Sequence, residues 1–189
     1  KANVPSLEEF ARDALSGELG ITVPARAGLT FGKQRDDDGV SDPEIKDADY
    51  DALVFFMKSL APPPRKPIDS ARAAAGAALF ARIGCQRCHV PELRTADGTP
   101  VPLYSDLLLH DVMAVGALGV PSGAASGREL RTPPLWGLSG SAPYMHDGRA
   151  ATIEQAIERH DGEGRAARAA FRELDSAARA TLLEFLGSL

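Results

Sequence analysis

The stretch GCQRCHVP, Gly84 to Pro91, places Cys85, Cys88 and His89 in the order C-x-x-C-H. That spacing is the attachment signature of a c-type haem. Two thiols add across the porphyrin vinyl groups, and the adjacent histidine becomes a ligand of the iron. The ring fills four of six iron positions and His89 a fifth, so the sixth ligand decides the chemistry. Two other uses of a C-x-x-C pair fit less well. A zinc site needs about four ligands, and the chain holds only two cysteines. A redox dithiol sits at the start of a helix, where the helix N-terminus lowers the thiol pKa. Here the pair follows a helical pattern and a glycine.

Working outward, Asp69 or Ser70 can cap a helix running through Ala74, Ala78, Leu79 and Ile83 into the motif. At the far end Ala178, Leu182, Phe185, Leu186 and Leu189 form one apolar stripe at helical spacing. The predicted fold class is all-α: a cytochrome c-like helical domain over residues 70–189. Long Gly/Pro-rich loops, mainly between 90 and 150, would wrap one covalently attached haem c that supplies much of the core.

The break ahead of this domain falls at APPPRKP, where four prolines in seven residues forbid a helix. All five lysines (Lys1, Lys33, Lys46, Lys58 and Lys66) precede residue 67. Residues 61–69 therefore read as an interdomain linker. Within 1–60, Ser6 and Glu9 have capping-box spacing before a stripe of Leu7, Phe10, Ala11, Ala14 and Leu15. Tyr50, Leu53, Val54 and Met57 form a second stripe, and the acidic stretch RDDDGVSDPEIKDAD lies between them. Two short helices and a long polar loop read as part of a domain rather than a whole one.

Bulk properties exclude some classes. The chain has 189 residues, 44% of them hydrophobic, with a formal net charge of −5. That balance argues against a nucleic-acid partner, and no apolar run approaches a membrane span. Lys1 begins on polar sequence without a signal peptide. Haem attachment to this motif takes place outside the bacterial cytoplasm, so a periplasmic or otherwise exported protein is expected, its signal removed.

For the sixth position the chain offers His110, Met113, Met145, His146 and His160. In TIEQAIERH, Thr152 and Gln155 have capping-box spacing, so a helix begins at Ile153. Ile153, Ala156, Ile157 and His160 then share one face, and Asp161-Gly162 ends the helix. A histidine on a buried face is usually a hydrogen-bonded core residue; here the core would also hold an iron atom. Helical phase points to His160, with His146 and Met113 as alternatives.

RTPPLWGLSGSAPYMHDGRAATIEQAIERH, Arg131 to His160, resembles the C-terminal haem domain of bacterial di-haem cytochrome c peroxidases and their MauG relatives. Those families share an R/K-x-P-x-L segment, then a-P-Y-x-H-D-G, then a helix reading t-L-E-E-A-V. LYSDLLLHD, Leu103 to Asp111, is similar to the di-haem oxidoreductase-like branch, sometimes labelled thiol oxidoreductases. The likeness covers about residues 50 to 189. It implies haem contacts by Arg131, Pro133, Leu135, Trp136, Tyr144 and His146, and puts His160 where a methionine or tyrosine ligates the second haem. His146 matches a histidine kept near that haem without ligating it. Backbone carbonyls around the a-P-Y element hold a calcium ion in the peroxidases, which implies calcium near Ser141 and Pro143. The relatives carry two C-x-x-C-H motifs and this chain one, so Tyr50 to Leu60 resembles the closing helix of a preceding haem domain.

Two imidazoles would saturate the iron and suit outer-sphere electron transfer. The leading expectation is an electron-transfer domain with iron held by His89 and His160, working with a redox partner protein or a second haem domain. Arg131 and Arg149 would pair with haem propionates through their guanidinium forks. The alternative is a peroxidase-type haem with a displaceable or absent sixth ligand and His146 as acid–base partner. Thiol–disulfide exchange, a third reading, requires thiols that haem attachment would consume.

Overall fold

The computed structural model describes residues 1–117 and 119–189. They fall into two compact units, one of Asn3–Ala61 and one of Pro62–Leu189 together with Lys1–Ala2.

In the smaller unit, α1 (Leu7–Glu18) begins at Ser6, whose Oγ accepts the Glu9 N–H at 3.1 Å. The other half of the capping box does not form. The Glu9 carboxylate instead accepts the N–H groups of Thr30 (2.8 Å) and Phe31 (2.9 Å). Arg12, fully buried one turn on, donates to the carbonyls of Phe31 and Pro24, both at 2.7 Å. Two charged side chains thus hold the long loop that follows, satisfying backbone groups that burial would otherwise orphan. The second helix, α2 (Asp47–Ser59), packs Tyr50 and Val54 against Ala11, Leu15 and Val23. Only part of the expected α1 stripe is covered: Leu7 and Phe10 are 44% and 49% exposed.

In the larger unit, α3 (Ser70–Arg82) starts at Asp69, which accepts from the N–H groups of Ala71 and Arg72. It ends at Gly84, whose φ of 91° lies in the left-handed region that a glycine adopts without strain. A 3-10 turn, Cys85–Arg87, follows at once. The chain then forms two small antiparallel hairpins. β1 (Leu93–Arg94) pairs with β2 (Pro100–Val101), and β3 (Leu109–Asp111) pairs with β4 (Glu129–Arg131) in the register His110 opposite Leu130. The fold is therefore mostly helical rather than purely so: strands stand in the span expected to be loop. They are too short to show a period of two in the sequence.

Three helices complete the unit: α4 (Ile153–Arg159), α5 (Arg165–Arg172) and α6 (Ser176–Ser188). Thr152 caps α4 as its spacing predicts, accepting the Gln155 N–H at 3.1 Å. The unit is closed by α3 against α6, where a Cβ on Gly76 would collide with the Phe185 side chain. Glycine there lets the two helices touch along their backbones. The core gathers Phe80, Ile83, Tyr104, Leu135, Phe171, Leu182, Phe185, Leu186 and Leu189. Each large apolar side chain so buried contributes about 1.5–3 kcal/mol. No helix among the described residues is long and apolar enough to cross a membrane.

Candidate functional site

Cys85 and Cys88 lie on the single turn after α3, and neither forms a disulfide. Burial pushes the Cys85 thiol up to about 11. Burial also raises Cys88, helped by the charges of Asp106 and Glu163. These thiols are held protonated, the reverse of what a thiol–disulfide exchange site needs.

His89 is placed by Tyr104. Its Nδ1 lies 2.9 Å from the Tyr104 carbonyl oxygen. A carbonyl can only accept, so Nδ1 carries the proton and the Nε2 lone pair is left as a ligand. Tyr104 holds that carbonyl from a backbone φ of 55°, a costly conformation for a tyrosine. It is retained by packing: the Tyr104 ring meets Phe80 at 5.8 Å and Phe185 at 6.0 Å, with Arg65 over its face at 5.2 Å. Burial lowers the His89 pKa to about 4, so the ring is neutral at ordinary pH.

His160 repeats the arrangement at the end of α4. It is the C-cap of α4, and its Nδ1 lies 2.7 Å from the Ala156 carbonyl one turn back. Burial lowers its pKa also, and Arg168 adds to the effect. A charge on His160 is felt at His89, so the two rings are electrostatic neighbours. Gly164 gives the His160 ring its room: a Cβ there would stand 3.0 Å from the His160 Cβ and 3.3 Å from Cδ2. Asp161, next in the chain, fastens the segment. Its N–H donates to Val112 O at 2.9 Å and its carboxylate accepts from Gly162 N and Arg165 Nε.

Two neutral imidazoles, each anchored through Nδ1 and making no Nε2 hydrogen bond among the described residues, are a donor set that fits haem iron. The adjacent pair of unoxidised cysteines fits its covalent attachment. The Ser141 hydroxyl donates to the Gly137 carbonyl at 3.0 Å.

The other sequence-derived candidates separate. His110 is held by carboxylates at both ring nitrogens: Nε2 lies 2.7 Å from Asp106 and Nδ1 3.0 Å from Glu163. Met113 is buried, with Gly119 beside its methyl end. Met145 is half-buried at a positive φ of 70°. His146 Nε2 lies 3.8 Å from Asp147, which pairs with Arg149 at 2.6 Å. Leu135 joins the core around Tyr104 and Phe80. Trp136 donates its indole N–H to Pro102 O at 3.0 Å, and Tyr144 its hydroxyl to Leu138 O at 2.8 Å. Arg131 and Pro133 are exposed. Reading the sequence missed the anchoring carbonyl of Tyr104 and the carboxylate clamp on His110. The first is a backbone property of a residue fifteen positions from its partner. The second joins segments 53 residues apart.

The larger unit is mostly helical, closed by its first and last helices, and carries C-x-x-C-H at the end of the first. The chain belongs to the family described as "Di-haem oxidoreductase, putative peroxidase", which it matches over residues 1–189. That family implies a haem cofactor. Among solved structures, the fold is similar to a MauG-like protein associated with microbial copper homeostasis (19% identity, TM-score 0.60). The match covers all of this chain and 67% of that one. It is also similar to a hydrazine synthase chain of Kuenenia stuttgartiensis, at 21% identity and a TM-score of 0.56, covering 76% of this chain and 56% of that one. No curated protein matches the chain.

Proposed function

We propose that this chain is a c-type haem electron-transfer domain of an exported, periplasmic di-haem oxidoreductase. One haem c would be held through thioether bonds to Cys85 and Cys88, with the imidazoles of His89 and His160 as ligands of its iron. Haem supplies the one-electron chemistry. The protein's part is to hold two neutral imidazoles in fixed orientation and to keep their Nδ1 protons on backbone carbonyls. Fixed ligands minimise rearrangement as an electron arrives or leaves, which favours transfer over substrate binding. The redox partner is a second haem domain, matching the two haems in the family's description and the single C-x-x-C-H of this chain.

The observation that carries this reading is the matched anchoring of the two rings, His89 on Tyr104 O and His160 on Ala156 O. Intact mass spectrometry counts haems, and an optical spectrum of the oxidised protein reports spin state. One covalent haem with a low-spin spectrum, unaltered by cyanide or peroxide, is expected. His160→Ala should convert that spectrum to high spin and open the iron to cyanide. A His160→Ala protein with an unaltered low-spin spectrum would remove His160 from the iron. A high-spin wild-type spectrum that responds to peroxide would favour the peroxidase reading instead.

A further inference from the structure

One segment, Tyr104 to Val112, joins the chain around His89 to the chain around His160. At its start the Tyr104 carbonyl holds His89 Nδ1 at 2.9 Å, and the Asp106 N–H donates to Cys88 O at 2.8 Å. At its end Val112 O accepts the N–H of Asp161, the residue after His160, at 2.9 Å. The Asp111 N–H donates to the Glu163 carboxylate at 2.8 Å. This second contact is close: a Cβ on Gly162 would stand 2.3 Å from Asp111 O. The segment is a strap with one ring-bearing stretch bonded at each end.

His110 closes the strap. Its Nε2 faces Asp106 at 2.7 Å and its Nδ1 faces Glu163 at 3.0 Å. The first carboxylate belongs to the end that holds His89, the second to the turn Gly162–Gly164 that follows His160. A doubly protonated ring donates to both, and the raised pKa of His110 favours that form. Exposed ion pairs contribute little, but the His110 and Asp106 side chains are only 17% and 11% exposed. Cys88 Sγ, an Asp106 carboxylate oxygen and a His110 ring nitrogen lie within 4.8 Å of one another, so the clamp also stands beside a haem-attachment sulfur. The turn between Asp106 and His110 is strained. Leu107 adopts a φ of 60° while 41% exposed, so burial of its side chain does little to offset the cost. Such strain persists where the surroundings impose it. Here buried Ser105 imposes it, its hydroxyl accepting the Leu107 N–H at 2.9 Å and donating to Thr132 O at 2.7 Å.

We infer that His110 is a positioning residue: by drawing Asp106 and Glu163 together it fixes the His160 stretch against the His89 stretch and keeps His160 in place as the second ligand. It acts through the two carboxylates. This rests on the two-imidazole reading given above.

The test is cyanide binding to the haem-loaded, oxidised protein, because cyanide reaches a two-imidazole iron only after one ring has left. His110→Gln can donate to one carboxylate but presents an oxygen to the other. It should remain low spin before cyanide is added, yet bind cyanide at least about tenfold faster than wild type, as loss of a charge-assisted hydrogen bond implies. That rate should not change with urea below the unfolding transition, since the opening is local. Glu163→Ala should act in the same direction, and it carries the test if His110→Gln fails to retain haem. The double variant should be no faster than the faster single one, as for residues that act through each other. Wild-type rates in both variants, rates that climb with urea from the outset, or additive effects in the double variant would overturn the inference. A wild type that takes cyanide freely would overturn the two-imidazole reading and this inference with it. Exclusion of cyanide by wild type and His110→Gln alike, with His160→Ala open to it, would overturn this inference alone.

Discussion

The chain holds two kinds of histidine environment. His89 and His160 each lean Nδ1 on a backbone carbonyl inside the protein, and burial holds both neutral. His110 sits between the carboxylates of Asp106 and Glu163 on the β3–β4 hairpin, and its pKa is raised, first by Glu163. The same imidazole is held neutral in one setting and drawn toward its charged form in the other. A carbonyl fixes the tautomer without charging the ring, while a carboxylate stabilises the imidazolium. What distinguishes the sites is the charge of the partner oxygen.

The sharpest way to break this contrast is Tyr104→Ala. It leaves a carbonyl at position 104 but removes the ring that pins it between Phe80 and Phe185. Loss of a buried aromatic costs about 3–5 kcal/mol. Denaturant unfolding should show that loss, and the spectrum should broaden as His89 loses its fixed orientation. An unfolding midpoint equal to wild type would mean that Tyr104 does not hold the site. Gly164→Val has a smaller, more local effect. The added side chain crowds His160, so part of the protein should become high spin while its stability falls by about 1–3 kcal/mol. A wholly low-spin spectrum would show that the ring has slack.

The mildest change is at His110. Glu163→Gln removes the larger of the two influences on it, so its pKa, read by proton NMR, should fall toward about 6.5. The sign of the linked stability follows. A histidine with a raised folded pKa contributes stability that is complete below about 6.5 and lost as pH climbs through the folded value. Wild type should therefore lose a little stability on going from pH 6 to pH 8, and Glu163→Gln less. An unshifted NMR titration would mean that Asp106 alone sets the charge.

Local signals carried much of the architecture. Ser6, Asp69 and Thr152 each cap a helix where their spacing predicts, because a cap needs only an oxygen and an N–H two or three residues away. The same logic failed at Glu9, whose carboxylate serves the N–H groups of Thr30 and Phe31 instead of its own helix. Two N–H groups of the following loop, at part-buried positions, take that carboxylate. Helix α5 also went unread: in DGEGRAARAAF one Phe171 is its main apolar residue, too sparse a stripe to register. Its place follows from Phe171 being fully buried against the core.

From the sequence alone came the helices at either end of the larger unit, the C-x-x-C-H turn and the apolar face carrying His160. All are set by neighbours within a turn or two, whose spacing is written along the chain. Only the tertiary structure decided which histidines are held neutral and which has its pKa raised. That depends on whether a carbonyl or a carboxylate arrives from a distant segment, and on how much water the surrounding side chains exclude.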